Sequence, residues 1–304
     1  MKVKQFLLIL AGLLFALGQF CLAGSSATIS ETAFEEMLPE DAMFYLSVPD
    51  VSELVAKFKN SNGYKIIREI DPIALMSREP QFQRVKQLYD TFVEPLTEIF
   101  RGRIAVAVKN IPPAPGIPGM IFLADVDGKE EELRQYLEER VVPLLTKAGV
   151  QMLSFKHGEY DVQQLSFPKP VPFAACYTIA DGLFIATVGR QTIEDLLDQP
   201  KRERSLADSE FFQEVRRKVG ESSDILAYAN VSTLLETLMA AVPGEPKAWV
   251  RALGLADIKA AGFGAEAQEA AVKHVFFIRT GPDRKGLLRL FARETRPLKA
   301  VDYV

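Results

Sequence analysis

Apolar and polar positions alternate with two periods along this chain, and the switch between them marks the elements. In "AMFYLSVPD", residues 42 to 50, Phe44, Leu46 and Val48 alternate with Met43 and Tyr45. That spacing predicts a strand with both faces largely covered. Asp50 then stands where a helix N-cap belongs, and Glu53 three positions on completes a capping-box pattern. Val51, Leu54, Val55 and Phe58 follow at helical spacing. A short acidic helix, "SETAFEEML", is expected before this unit. A longer one, "SREPQFQRVKQLYDTFVEPLTEIF", is expected after it, with Pro95 kinking or ending it.

The same reading continues downstream. "GRIAVAVKN" and "GMIFLADVD" read as strands joined by the stiff, proline-rich "IPPAPGIP". "KEEELRQYLEERVVPLLTKAG" reads as a helix kinked at Pro143 and stopped at Gly149. Two hairpins come next, turning at His157-Gly158 and at Asp181-Gly182, the second being the strongest short turn signal in the chain. A short helix, "QTIEDLLDQ", closes this half. "PKRERSLADSE" combines a proline, a charge run and helix-start residues, so an internal boundary is placed there, as a solvated linker.

Beyond that boundary the pattern returns. "SEFFQEVRRKV" echoes "PQFQRVKQL", with Phe82, Gln83 and Val85 matched by Phe212, Gln213 and Val215. "ILAYANVSTLLETL" repeats the opening unit. Asp50, Val51 and Ser52 are matched by Asn230, Val231 and Ser232, and Leu54, Val55 and Phe58 by Leu234, Leu235 and Leu238. "IKAAGFGAE" and "AVKHVFFIRTG" follow as strands, then "RKGLLRLFARE" as a helix. The expectation is an α+β protein of antiparallel sheets and packed amphipathic helices, in two related units, 24–200 and 201–304. No hairpins follow in the second unit, and the sequence ends on the apolar "RPLKAVDYV", so the second copy is read as incomplete and the chain as a fragment of a longer protein.

The first 23 residues read as a secretory leader. Lys2 and Lys4 precede an apolar stretch from Phe6 to Phe20, and small residues near Ala23 suit cleavage there, with Ala27 as second choice. The alternative is an uncleaved anchor to the inner membrane through residues 6–23, which would be the chain's membrane contact. The formal charge is −4, two units more negative without Lys2 and Lys4, which argues against a nucleic-acid partner. Cys21 leaves with the leader and Cys176, in an apolar run, is expected as a small core residue.

"LPEDAMFYLSVPDVSELVAKFKNS", with "SREPQFQRV", "LADSEFFQEV" and "GLLRLFARETRPL", resembles a bacterial family of exported proteins classed as a domain of unknown function. The resemblance covers most of residues 38 to 300. It implies export to the periplasm or beyond and an α+β fold, and it carries no catalytic residues to transfer.

The search for chemistry assigns no catalytic, cofactor-binding or metal-ligating residue. His157 and His274 are the two histidines, one in a predicted turn and one in a predicted strand, and no cysteine cluster accompanies them. A G-x-S-x-G elbow and a phosphate-binding loop are absent. "GFGAEA", Gly262 to Ala267, has glycines but no following helix and reads as a strand of small residues. Acidic pairs such as Glu35/Glu36 sit near helix starts, where the dipole favours them. The leading expectation is therefore a non-enzymatic binding or scaffold protein of the cell envelope, with no cofactor and an unknown envelope protein as partner. A carrier of a hydrophobic ligand or lipoprotein is the alternative. A hydrolase using carboxylates without a local signature is third.

Overall fold

In a computed structural model, residues 33–62, 64–65, 94–109, 119–168, 174–198, 204–220, 222–241, 250, 252–268 and 271–282 are described. The leader, the segment "SREPQFQRV", the proline-rich loop and the last predicted helix lie outside them. Ten strands form one antiparallel sheet: β1 (Ala42–Val48), β2 (Ile104–Lys109), β3 (Gly119–Asp125), β4 (Gln151–His157), β5 (Tyr160–Ser166), β6 (Ala174–Ala180), β7 (Leu183–Val188), β8 (Ile225–Ala229), β9 (Ile258–Ala267) and β10 (Val272–Thr280). Their order is β10-β9-β8-β1-β2-β3-β7-β6-β5-β4. The fold is α+β. The strands of both predicted units join this single sheet through the β1–β8 pair, the third and fourth strands from the β10 edge.

Among the described residues the α-helices are α1 (Phe34–Met37), α2 (Val51–Asn60), α3 (Glu94–Ile99), α4 (Glu130–Tyr136), α5 (Val142–Lys147), α6 (Arg190–Leu197), α7 (Glu210–Val219) and α8 (Val231–Ala241). Two cores lie on the two faces of the sheet. The first holds Tyr45, Ala107, Leu123 and Ile185 of the strands under Phe34, Ile193, Leu196, Phe212 and Val215. At its centre Phe212 meets Tyr45 and Tyr228 edge-on, with ring centroids 5.6 and 5.4 Å apart. The second holds Val48, Ile104, Phe122 and Ala124 under Val51, Val55, Leu96, Ile99 and Leu133.

Local chemistry explains the joints. Asp50 caps α2 by accepting the Glu53 N–H at 2.7 Å. The Glu53 carboxylate does not turn back to complete the expected box; it pairs with Lys57 at 2.8 Å, one helical turn on. Asn230 caps α8 in the same way, accepting the Thr233 N–H at 3.2 Å. Ser52 donates to the Arg101 carbonyl at 2.9 Å and Ser232 to that of Lys259 at 3.5 Å, so each helix start is tied to the approach or first residues of a neighbouring strand. The β6–β7 turn places Asp181 and Gly182 both at positive φ, 53° and 74°, as a tight two-residue hairpin demands. Between α4 and α5 the helix widens into a π turn over Leu137–Val141. Pro143 causes it, because it offers no N–H to the carbonyl four residues back.

One expectation needs correction. Residues 204–209 are no solvated linker. Leu206 is wholly buried, its N–H donates to the Leu38 carbonyl at 2.8 Å, and Ser205 with Asp208 forms a capping box. β1 is largely covered on both faces, as expected, with Phe44 its one exposed large side chain. One face of β10, with Val272, Phe276 and Ile278, is exposed, which an alternating apolar pattern alone does not reveal.

A candidate cleft between the two halves of the sheet

The turn Pro39–Asp41 leads into β1. It is held from both sides, by the Ala42 N–H on the Pro39 carbonyl at 3.1 Å and by a bridge from Pro39 to Ser205. Around it opens a cleft of about 710 Å³ lined by Pro39, Glu40, Asp41, Lys109, Arg204, Ser209, Glu210, Phe211, Asn230 and Thr233. These residues come from four separate stretches of chain. They meet because β1 pairs with both β2 and β8, bringing the end of β2 and the start of α8 to the same end of the sheet.

Both signs of charge face this space. Arg204 pairs with Glu40 at 2.8 Å. Lys109 pairs with Asp195 of α6, and Glu210 accepts from Arg279 of β10 at 2.9 Å. Two helix starts also open on the cleft. Ser209 caps α7, accepting the Phe212 N–H, and Asn230 caps α8. Beside them Asp208 accepts the Ser205 N–H at 2.8 Å and the Ser205 hydroxyl at 2.9 Å, which hold its carboxyl below the usual range. The cleft presents donors, acceptors and paired charges, with Phe211 as its one large apolar wall. That is the chemistry of reversible polar contact.

The residues weighed in the sequence fall elsewhere. His157 sits at the end of β4 against Asp198, 3.1 Å away, and His274 lies flat on Phe263, 5.7 Å between centroids. Cys176 is buried in the first core, and burial pushes its thiol up to about 11. Gly262 and Gly264 are in β9, as expected for a strand of small residues, and face Val215 and Val219 of α7. Among the described residues no group of three or more His, Cys, Asp or Glu could hold a metal, and no helix is long and apolar enough to cross a membrane. The cleft was missed in the sequence. Its only local signals were the two caps and the charge run near Arg204, and its ion pairs join residues far apart in the chain. No family model, curated protein or solved structure matches the chain.

Proposed function

We propose that the protein is a non-enzymatic binding or scaffold protein of the cell envelope, and that the cleft at Pro39–Asp41 receives a polar segment of a partner protein. The observation that supports this is the composition of the cleft: paired charges of both signs and two capped helix starts around an open space, which suit the backbone and mixed side chains of a peptide better than a lipid chain. Export and membership of the family of unknown function remain part of this reading, resting on the leader pattern and the quoted motifs. So does the duplication. The order of β1-β2-β3 outward from the β1–β8 junction matches that of β8-β9-β10, and the caps at Asp50 and Asn230 repeat. One detail opposes a simple 180-residue offset. Leu226 lies opposite Ser47 and Leu46 opposite Ala227, so the two leucines point to opposite faces and the strands need a one-residue slip.

A second reading, a carrier of a hydrophobic ligand, draws on the apolar row of β10. Phe276, Ile278 and Val272 are 77, 56 and 51% exposed. Native mass spectrometry of the full chain purified from the cells that make it separates the two. A bound protein is expected; a bound lipid without protein would overturn the proposal in favour of the carrier.

A further inference from the structure

A strand at the end of a sheet keeps the N–H and C=O groups of alternate residues without a strand partner, and proteins blunt such edges with charge, proline or cover. Among the described residues the two end strands are β4 and β10. They are built differently. Of the exposed side chains of β4, Gln151, Ser154 and Lys156 are polar and Leu153 alone is apolar, and α5 packs beside the strand. β10 is nine residues long and holds neither proline nor an acidic residue. Val272, His274, Phe276 and Ile278 alternate on one of its faces, and all four are exposed. Val275 and Phe277, on the other face, pack on the first core. Its one lysine, Lys273, is turned to Glu266 of β9 at 3.2 Å.

Such an edge is complementary to a strand, and the side chains of β10 select which one. Directly opposed residues in an antiparallel pair point to the same face and touch, and like charges placed opposite each other repel. Two copies of β10 can pair about a two-fold axis in several registers. Centred on Val275, Val272 falls opposite Ile278, His274 opposite Phe276, and Lys273 opposite Phe277. Every exposed member of the row then meets another member, and the cations Lys273 and Arg279 stay apart, each keeping its own carboxylate, Glu266 or Glu214. Centred on Phe276, Lys273 would face Arg279. Centred on His274 or on Phe277, Ile278 or Val272 would fall beyond the strand end. The strand thus complements itself in one register, as an isologous two-fold contact requires.

We infer that β10 is a dimerisation edge: it pairs antiparallel with β10 of a second copy of this chain about a two-fold axis at Val275. The pairing continues the sheet from one copy into the next, satisfies the outward backbone groups of both edges, and sets Val272, His274, Phe276 and Ile278 of each copy against those of the other. This goes beyond the cleft reading and does not depend on it.

The test is sedimentation of the full chain purified from the cells that make it, unaltered and carrying Val272→Glu, Ile278→Lys or both. The unaltered chain is expected to be a dimer at about 50 μM and to dissociate on dilution. Either single substitution buries an unpaired charge in the contact and should raise the dissociation constant at least about tenfold. The two together should bring it back to within about tenfold of the unaltered chain, because in this register position 272 of one copy faces position 278 of the other. The two positions lie about 20 Å apart along one strand, so the pair cannot form within a chain. Both side chains are exposed, and an unchanged circular dichroism spectrum in each variant would show that the fold is kept. A monomer at about 50 μM would overturn the inference. So would a dimer indifferent to Ile278→Lys, or a double variant no tighter than the single ones. None of these outcomes involves the cleft, so a failure here leaves the proposed function standing.

Discussion

A Cβ built on Gly262 would come within 2.2 Å of the Val215 side chain, and one on Gly264 within 2.8 Å of the Val219 carbonyl. These two glycines let α7 sit directly on β9, so their role is close approach and not ligand binding. Gly262→Ala should destabilise the protein by about 1–3 kcal/mol in urea unfolding. Val215→Ala in the same chain should recover part of that loss, whereas full additivity would deny the contact. Cys176 and Tyr45 supply a pH signature. Burial raises both, Cys176 to about 11, so the folded chain keeps protons that the unfolded chain gives up. Stability is therefore complete below about pH 8.5, the ordinary thiol value, and falls as pH rises through about 11. Urea midpoints between pH 8 and 11 should drop, and Cys176→Ala should flatten part of that drop. An unchanged slope in that variant would place the titration elsewhere.

At the scale of elements, most of what the structure shows was legible beforehand. The Asp50 and Asn230 caps, the helices they start, both hairpins and the Pro143 irregularity all rest on residues within a few positions of one another, where side-chain size and hydrogen-bonding capacity act directly. Long-range pairings were not legible. Asp224 is an example: one carboxylate oxygen accepts from Lys57 of α2 at 2.7 Å and the other from the Ala267 N–H at the end of β9, also at 2.7 Å. Lys57 is in turn raised above its ordinary value by the hydrogen bonds to Asp224 and Glu53. This carboxylate clips a helix of the first half to two strands of the second. Asp224→Ala leaves a half-buried N–H without its acceptor and should cost about 1 kcal/mol. A loss below a few tenths would mean that the clip carries no net stability. The uncovered face of β10 escaped for a related reason. Alternation of apolar residues states which side they share, and only the neighbouring elements decide whether that side is covered.

For the molecule as a whole, the single sheet determines where anything can bind. It joins the two halves at β1–β8, and that junction gathers Pro39–Asp41, Lys109, Arg204 and Asn230 into a cleft that neither half has alone. The central claim is that this cleft holds a partner protein. The direct measurement is native mass spectrometry of the full chain from its own cells, compared with the chain carrying Asp41→Lys and Arg204→Glu. Asp41 and Arg204 are at the surface, so the fold should survive, and an unchanged urea midpoint would confirm it. The account predicts a protein bound to the first chain and lost from the second. A protein retained equally by both, or a lipid in its place, would contradict it.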